Sequence, residues 1–319
     1  MGTTFQFKWE VILIEWCQKN LPDFVIQLLT NVSLVGDTIF IVAILGIVYL
    51  CYDKKIGSKI IKNTLISTMV AGCIKNIFKR RRPYFDNENI KCLKIVDKNY
   101  DLYDVNKQGF SFPSMHSSNI SVMTSSLYRY YRKNSFLIIA ILFSAIVGVS
   151  RFVLGCHYPT DVIVGWTLGV SSTILIGNLQ EKINEKYMYL IGIILGIIGM
   201  MYCTTSDFYS FFGIYLGFIL CEIYDKKKIN FKNTRNIIKS IMRLLLSCAV
   251  FLLVSNALKL LIPILNIIEN TFASYIFVTF RYFLSTFIGL GLTPIVYKYN
   301  ILKLDDKFKN GEDNNETNN

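Results

Sequence analysis

The stretch Ser150-Arg151-Phe152-Val153-Leu154-Gly155-Cys156-His157-Tyr158-Pro159-Thr160-Asp161 joins two apolar runs and holds one of only two histidines in 319 residues. Arg151 ends the first run, and Gly155 permits a turn before the second. His157 and Asp161 are spaced i and i+4, so on a helix they share a face, where the carboxylate can orient the imidazole. The stretch predicts two helices joined by a short turn. The ends of the helices that meet at this turn, called the mouth below, carry a cation, an imidazole and a carboxylate.

The composition around this stretch is that of a polytopic membrane protein. Hydrophobic residues make up 52% of the chain, and the mean hydropathy is +0.41. Several nearly uncharged runs approach the ~20 residues that a helix needs to span a bilayer. We attribute the net charge of +12 to basic cytoplasmic loops rather than to a nucleic-acid-binding surface. The eight cysteines form no CxxC pair, which argues against a disulfide framework or a zinc site.

The hydropathy pattern predicts an all-α, polytopic transmembrane helical bundle of about nine spans. The spans are expected near residues 37–52, 56–78, 113–131, 136–153, 158–179, 187–204, 206–223, 237–262 and 273–297. The predicted regions are two amphipathic interfacial helices (1–35), a catalytic membrane core of five or six helices (36–182), a C-terminal transmembrane extension (183–303) and a disordered polar tail (304–319).

The distribution of Lys and Arg predicts the orientation in the membrane. One set of loops is basic, whereas the opposite loops near 203–208 and 263–272 contain neither residue. By the positive-inside rule the basic loops and the C-terminus are cytoplasmic. The loop 79–112 breaks this pattern, since it begins with basic residues on the other side. Counting spans places this loop and the stretch 150–161 together at the extracytoplasmic face.

The residues at this outer face describe a cradle for a phosphoryl group. Lys75 and Arg82 are seven residues apart, so on a helix they project from one side of the second span. Ser114 and His116 begin a helix, where unpaired N–H groups favour an anion. Arg151 adds a planar fork of donors. The two histidines can divide the chemistry, His157 as a nucleophile and His116 as a general acid and base.

Three segments in this order resemble the signature of the type 2 phosphatidic acid phosphatase superfamily. They are Lys75-x6-Arg82-Pro83, Pro113-Ser114-x-His116 and Ser150-Arg151-x5-His157-x3-Asp161. The superfamily includes undecaprenyl pyrophosphate, phosphatidylglycerophosphate and glucose-6-phosphate phosphatases, and the resemblance covers about residues 35–180. It implies phosphate ester hydrolysis through a phosphohistidine, without a metal or another cofactor.

The resemblance also implies a role for each motif residue. The phosphate-binding residues correspond to Lys75, Arg82, Ser114 and Arg151. The nucleophile corresponds to His157, its orienting carboxylate to Asp161, and the acid/base residue to His116. Met115 stands where the family usually has Gly, whose backbone N–H contacts the phosphate. Methionine keeps that N–H, but it resists positive φ and fills space near the phosphate.

These observations predict a phosphatase of a lipid phosphate or an isoprenoid pyrophosphate, acting at the extracytoplasmic face of the cell membrane. Undecaprenyl pyrophosphate and a glycerolipid phosphate are the expected substrates, and the Ile-, Asn- and Lys-rich composition, typical of an AT-rich bacterial genome, favours the former. Two alternatives stay open: a glucose-6-phosphatase-like enzyme for a soluble phosphomonoester, and a non-catalytic lipid-binding or transport relative. Phosphotransfer to an acceptor other than water is a further possibility, and the sequence indicates no oligomeric state.

Other charged residues receive simpler interpretations. The basic run Lys79-Arg80-Arg81 is interpreted as a solvated rim that attracts anionic head groups, without individual roles. Lys259 and Arg281 fall inside predicted spans, where a cation is a functional candidate. We expect them to snorkel or to form an ion pair, with Glu269 as the candidate partner, and contact with a second phosphate or a head group is the alternative. Asp161 has the alternative role of a cap on the fifth span.

Overall fold

The predicted all-α architecture is confirmed in a computed structural model, which describes residues 2–3, 5–35, 38–94, 101–234 and 236–299. Of the described residues, 79% are helical and none belongs to a strand. The helices through the central region are α1 (Lys8–Asn20), α2 (Asp23–Val35), α3 (Thr38–Ile47), α4 (Lys54–Phe78), α5 (Pro83–Asp86), α6 (Val105–Gln108), α7 (Met115–Tyr131), α8 (Asn134–Val153) and α9 (Pro159–Lys182).

The C-terminal third continues this pattern. Its helices are α10 (Glu185–Met200), α11 (Ser206–Tyr224), α12 (Ile237–Lys259), α13 (Leu261–Ile264), α14 (Phe272–Thr286) and α15 (Thr293–Lys298). Three π-helical turns extend α3, α11 and α14, at Val48–Tyr52, Asp225–Ile229 and Phe287–Leu292.

Five helical segments among the described residues are long and apolar enough to cross a membrane. They are Asn134–Val153, Pro159–Lys182, Ser206–Ile229, Ile237–Ile264 and Phe272–Lys298. Helix α4 has 25 residues but carries five lysines, which lowers its hydropathy. The count of about nine spans and the four-region division therefore stay predictions. Asp37, at the start of the first predicted span, and the predicted tail 304–319 lie outside the described residues.

Helix α4 is the central element, since it packs against α7, α9, α10 and α11. Polar side chains join α4 to α7: Asn63 Nδ2 donates to Ser126 Oγ at 2.9 Å, and Thr68 Oγ1 donates to Asn119 Oδ1 at 2.6 Å. Hydrogen bonds of this kind hold transmembrane helices together, because the hydrophobic effect does not drive helix association within lipid. The Ser- and Thr-rich helix α7 is buried within the bundle over most of its first three turns.

Glycines bring α7 and α9 into close backbone contact. A Cβ added at Gly165 would lie 2.6 Å from the carbonyl oxygen of Ser114, and one at Gly169 would lie 2.6 Å from that of Ser118. Small residues four apart permit helices to approach in this way. The approach fixes the start of α7 against the first turns of α9, where the motif residues lie.

Buried ion pairs join the C-terminal helices to the core. Lys62 on α4 lies 2.8 Å from Glu222 on α11, and both side chains are almost fully buried. Lys54 lies 2.7 Å from Asp225, just beyond α11. These pairs lie toward the start of α4, away from Lys75 near its end.

Two helices form in the N-terminal region, as predicted, and Pro22 lies between them. Helix α1 buries Ile14 in a small hydrophobic cluster with Tyr84, Ile90 and Tyr158, while α2 packs against α8. Helix α1 therefore contacts the segment that carries the histidine motif.

Candidate active site

Lys75 lies in the last turn of α4. The helix ends because Lys79 adopts a left-handed conformation with φ of 50°, and its N–H donates to the carbonyl oxygen of Lys75. Lys75 is 5% exposed, and its Nζ donates to the carbonyl oxygens of Phe110 and, at 3.5 Å, Ser111. Because the chain is extended at Arg82, Lys75 and Arg82 do not share a helix face, and the prediction from their spacing was wrong.

Arg82 nevertheless reaches the same mouth by another route. Its Nε and Nη2 donate to the carbonyl oxygen of Gln108 at 3.1 and 2.6 Å. Its Nη1 donates to the carbonyl oxygen of Cys156 at 3.1 Å. Since Cys156 directly precedes His157, this guanidinium holds the loop before α7 against the histidine motif.

Ser114 caps the start of α7. Its Oγ accepts a hydrogen bond from the N–H of Ser117 at 3.4 Å, and its own N–H donates to the carbonyl oxygen of Asp161 at 2.9 Å. Met115 and His116 follow in the first turn, buried and half-buried respectively, where backbone N–H groups favour an anion. Met115 is not among the positive-φ residues of the described chain, so its backbone conformation does not require glycine.

A tight turn sets His157 beside Arg151. The carbonyl oxygen of Arg151, in the last turn of α8, accepts the N–H groups of Cys156 at 3.0 Å and His157 at 3.2 Å. Gly155 has a φ of +72°, and a Cβ there would lie 2.4 Å from the carbonyl oxygen of Lys91. Only glycine fits this turn without strain.

Arg151 carries an unused hydrogen-bond donor. The side chain is 4% exposed, and its Nε has no hydrogen-bond partner among the described residues. Leaving a buried donor unpaired costs about 1–3 kcal/mol, more when the group is charged. An anion bound at this mouth would remove that cost.

His157 is buried, at 2% exposure. Its Nδ1 lies 3.6 Å from Oδ2 of Asp161 and 3.5 Å from Oγ of Ser111. The first distance exceeds that of a hydrogen bond, so the direct bond expected from the i, i+4 spacing is not formed. The Ser111 hydroxyl, which sequence reasoning missed, donates to Oδ2 of Asp161. Because Nδ1 faces the carboxylate, Nε2 is the nitrogen turned away from it.

Burial holds the pKa of the His157 imidazole well below its ordinary value. Nearby positive charges lower that pKa further, in the order Arg82, Lys75, Arg151 and His116. All four groups act on one imidazole, so the structure brings the predicted cations and both histidines together at one mouth. The neutral imidazole that results has a lone pair available for nucleophilic attack.

Arg80 requires the largest correction. The prediction that it lies on a solvated rim was wrong, because its side chain is 0% exposed. Its Nη1 lies 2.6 Å from Oδ1 of Asp161, and its Nη2 lies 2.7 Å from Oε2 of Glu10, which is also wholly buried. The sequence does not reveal which arginine of the run Lys79-Arg80-Arg81 turns inward. The signal for Glu10 is a carboxylate that directly precedes the apolar run 11–14 of α1.

Asp161 performs the capping role foreseen for it as an alternative. Its Oδ2 accepts the N–H of Tyr158, the residue before α9, at 2.8 Å. Lys259 is exposed, and Arg281 is half-buried with its guanidinium 4.7 Å from the centre of the Tyr282 ring. Roles for Lys259 and Arg281 in head-group binding stay predictions.

No group of three or more His, Cys, Asp or Glu in the part of the chain that the structure describes could hold a metal ion.

Two families match the chain. Residues 58–185 match the PAP2 superfamily, and residues 209–304 match the PAP2 superfamily phosphatase, transmembrane extension. The first match contains all eight predicted site residues, from Lys75 to Asp161.

The chain spans about half the length of the curated relatives that it matches. Phosphatidylglycerophosphatase B of Bacillus subtilis is 36% identical over 90 residues, which cover 25% of this chain and 44% of that protein. Undecaprenyl-diphosphatase of Sulfolobus acidocaldarius is 28% identical over 116 residues, which cover 36% of this chain and 51% of that protein. Lipid A 4'-phosphatase of Bacteroides thetaiotaomicron is 30% identical over 122 residues, which cover 38% of this chain and 51% of that protein.

A solved structure also aligns with the chain. It is the crystal structure of a transmembrane PAP2 type phosphatidylglycerolphosphate phosphatase from Bacillus subtilis. The alignment covers 56% of this chain and 87% of that one, with 22% sequence identity and a TM-score of 0.43.

Proposed function

The chain belongs to the PAP2 superfamily, and from this premise we propose that it is a membrane phosphatase of a lipid phosphate or pyrophosphate. The observation that carries the proposal is the buried Nε of Arg151, which has no hydrogen-bond partner among the described residues, in a residue whose carbonyl oxygen accepts the N–H of His157 at 3.2 Å. A cationic donor without a partner, next to a nucleophilic nitrogen, is suited to hold a phosphoryl group for attack. The three curated relatives, each named as a lipid phosphatase or diphosphatase, support this class of substrate.

We assign phosphate binding to the cations and to the start of α7. Arg151 and Arg82 would supply guanidinium donors, and Lys75 a point charge. Ser114 would supply its hydroxyl, and Met115 its backbone N–H at the positive end of the helix dipole. These groups would stabilise the negative charge on the phosphoryl oxygens in the transition state.

The proposed reaction has two displacement steps. In the first, Nε2 of His157 forms a bond to phosphorus while the bond to the leaving oxygen breaks, and His116 donates a proton to that oxygen. In the second, His116 takes a proton from water, whose oxygen attacks phosphorus, and the P–N bond breaks to release inorganic phosphate. Asp161, 3.6 Å from Nδ1, would stabilise the positive charge that the ring of His157 gains on phosphorylation.

We place this site at the extracytoplasmic face, with the C-terminus in the cytoplasm. The support is the positive-inside distribution of Lys and Arg among the loops. A mouth at the ends of apolar helices suits an amphiphile whose tail stays in lipid. Undecaprenyl pyrophosphate and a glycerolipid phosphate are the candidates.

The test is phosphate release by the detergent-purified protein in the presence of EDTA. Undecaprenyl pyrophosphate, phosphatidylglycerophosphate, phosphatidic acid and glucose 6-phosphate are offered in parallel, with His157→Ala as the control. We expect release from at least one lipid, and its loss in the variant. Release from glucose 6-phosphate alone would favour a soluble substrate, and loss of activity in EDTA would contradict metal independence. No release from any substrate would overturn the proposed function.

A further inference from the structure

Glu10 and Arg80 are wholly buried charges outside the motifs that predict the site. Glu10 lies in the first turn of α1, and Arg80 lies in the segment that follows α4. A buried charge is tolerated when it is paired and its hydrogen-bonding capacity is satisfied. The contacts of this pair lead directly to the proposed catalytic machinery.

The Glu10 carboxylate bridges Arg80 and the start of α9. Its Oε2 lies 2.7 Å from Nη2 of Arg80. Its Oε1 accepts the backbone N–H of Thr160 at 3.1 Å and the Thr160 hydroxyl at 2.5 Å. Thr160 belongs to the first turn of α9, where N–H groups lack partners within the helix. Glu10 therefore caps α9 from a different helix, at the end where a negative charge is favourable.

The Arg80 guanidinium uses every nitrogen in contacts within the protein. Nη1 donates to Asp161 Oδ1 at 2.6 Å and to the Thr160 hydroxyl at 2.8 Å, Nη2 donates to Glu10, and Nε donates to the carbonyl oxygen of Phe5 at 2.8 Å. Its centre lies 3.8 Å from that of the Tyr158 ring. Arg80 thus differs from Arg151, whose Nε has no partner among the described residues.

The chain of contacts ends at the proposed nucleophile. Oδ1 of Asp161 accepts from Arg80, while Oδ2 accepts from Ser111 and from the N–H of Tyr158. The same Oδ2 lies 3.6 Å from Nδ1 of His157. With one oxygen fixed by Arg80 and the other by Ser111 and the backbone, the carboxylate cannot rotate without breaking several charge-assisted bonds.

We propose that Glu10 and Arg80 are positioning residues, which hold Asp161 and the start of α9 in the geometry that His157 needs. This inference rests on the proposed function. Glu10 also offsets the guanidinium charge, so that Asp161 can stabilise the His157 ring instead of being neutralised by Arg80 alone. The N-terminal helix α1 is therefore part of the active site rather than a separate membrane-surface element.

The test compares kcat and KM of Glu10→Gln, Arg80→Lys and Arg80→Gln in the full-length protein, with the preferred substrate. A misplacement of ~1 Å at a reacting group costs about 10²-fold in rate, and we expect kcat of Arg80→Gln to fall by that factor. We expect Arg80→Lys to lose less, because an ammonium keeps the charge but cannot reach both carboxylates as a guanidinium does. Glu10→Gln, which keeps the side-chain volume, should lose about 10-fold, the equivalent of ~1.4 kcal/mol.

The ratio of effects on kcat and KM separates positioning from binding. Neither residue is expected to contact the phosphoryl group, so KM should change by less than about 2-fold, whereas Arg151→Gln should raise KM. Gln18→Ala is the matched control for docking of α1. It removes hydrogen bonds of 2.9 Å from α1 to the carbonyl oxygens of Lys91 and Val153 without touching Asp161. Its kcat should stay within about 2-fold of wild type.

Two results would overturn the inference. If wild type is active and His157→Ala is not, but Glu10→Gln and Arg80→Lys both keep the wild-type kcat per folded enzyme, the pair has only a structural role. If Gln18→Ala lowers kcat as much as Glu10→Gln does, docking of α1 accounts for the effect. An inactive wild-type protein would instead overturn the proposed function, and this inference with it.

Discussion

The contact between Gly165 on α9 and the start of α7 allows a prediction about activity from packing alone. A Cβ at position 165 would lie 2.6 Å from the carbonyl oxygen of Ser114, 3.0 Å from Cβ of Ser117 and 3.3 Å from the backbone nitrogen of Ser118. Two of these three atoms belong to the backbone, which cannot rotate away as a side chain can. Gly165→Ala must therefore move the two helices apart.

The required movement can be read from these distances. Ordinary contact begins at 3.4 Å, so the oxygen of Ser114 must retreat by 0.8 Å from 2.6 Å. Overpacking of a helix interface costs about 1–3 kcal/mol. Ser114 also donates its N–H to the carbonyl oxygen of Asp161, so the shift disturbs two proposed site residues. A misplacement of ~1 Å costs about 10²-fold in rate, and we expect kcat/KM to fall by between 10- and 100-fold.

The assay is steady-state phosphate release by purified Gly165→Ala, together with its thermal melting in detergent. Gly177→Ala is the matched control on the same helix. Its Cβ would meet the side chain of Arg129 at 2.6 Å, near the end of a flexible side chain and far along α7 from Ser114. We expect Gly177→Ala to keep kcat/KM within about 3-fold of wild type.

Wild-type kcat/KM in Gly165→Ala would refute this reasoning, because it would mean that the start of α7 does not need its present distance from α9. An equal loss of kcat/KM in Gly177→Ala would also refute it. In that case the loss would follow from weakened packing along the whole interface and not from displacement of Ser114.

Three further predictions concern the protonation of His157, the hydroxyl group of Ser111 and the ion pair between Lys62 and Glu222. Since the folded protein lowers the pKa of His157, protonation of His157 should reduce kcat/KM only below pH about 6.5. Arg151→Gln removes a nearby positive charge and should therefore shift this acid side of the pH profile of kcat/KM to higher pH. An unshifted profile would contradict the role of His157 as the nucleophile. Ser111→Ala, which removes the hydroxyl 3.5 Å from Nδ1 of His157, should lower kcat by about 10-fold in steady-state assays, with little change in KM. Lys62→Met should destabilise the fold by about 3 kcal/mol, because it removes the buried partner of Glu222 at 2.8 Å and leaves only the more exposed Lys226 at 3.8 Å. The double variant Lys62→Met/Glu222→Gln should recover part of the melting temperature, and no recovery would contradict this account.

The sequence allowed the all-α fold and the family to be predicted, and it indicated which residues form the candidate site, for identifiable physical reasons. Long apolar runs determine helices, and the signals that end them are local, such as the turn at Gly155 and the cap at Ser114. The resemblance to the PAP2 superfamily, read from three motifs, was confirmed. His157 and Asp161 are close in sequence, so their proximity in space needed no tertiary information.

The contacts that could not be predicted depend on tertiary structure. Arg80 lies between two other basic residues, and the direction of its side chain depends on the left-handed turn at Lys79 and on the backbone hydrogen bonds that Thr3 forms with Lys79 and Arg81. The contact from Glu10 to Thr160 joins residues 150 positions apart. The i, i+4 spacing indicated that Asp161 faces His157, but it could not show that Arg80 and Ser111 already occupy the carboxylate oxygens.

The most direct test of the proposed mechanism is to trap the phosphoenzyme in His116→Ala with a lipid pyrophosphate labelled on the terminal phosphate. The leaving group of this substrate is itself a phosphate and departs without a proton, so attack by His157 should proceed while hydrolysis of the intermediate stalls. We predict labelled protein whose label is acid-labile, alkali-stable and absent in His116→Ala/His157→Ala. An acid-stable label on a serine, or no label from a substrate that the wild type hydrolyses, would contradict the phosphohistidine mechanism.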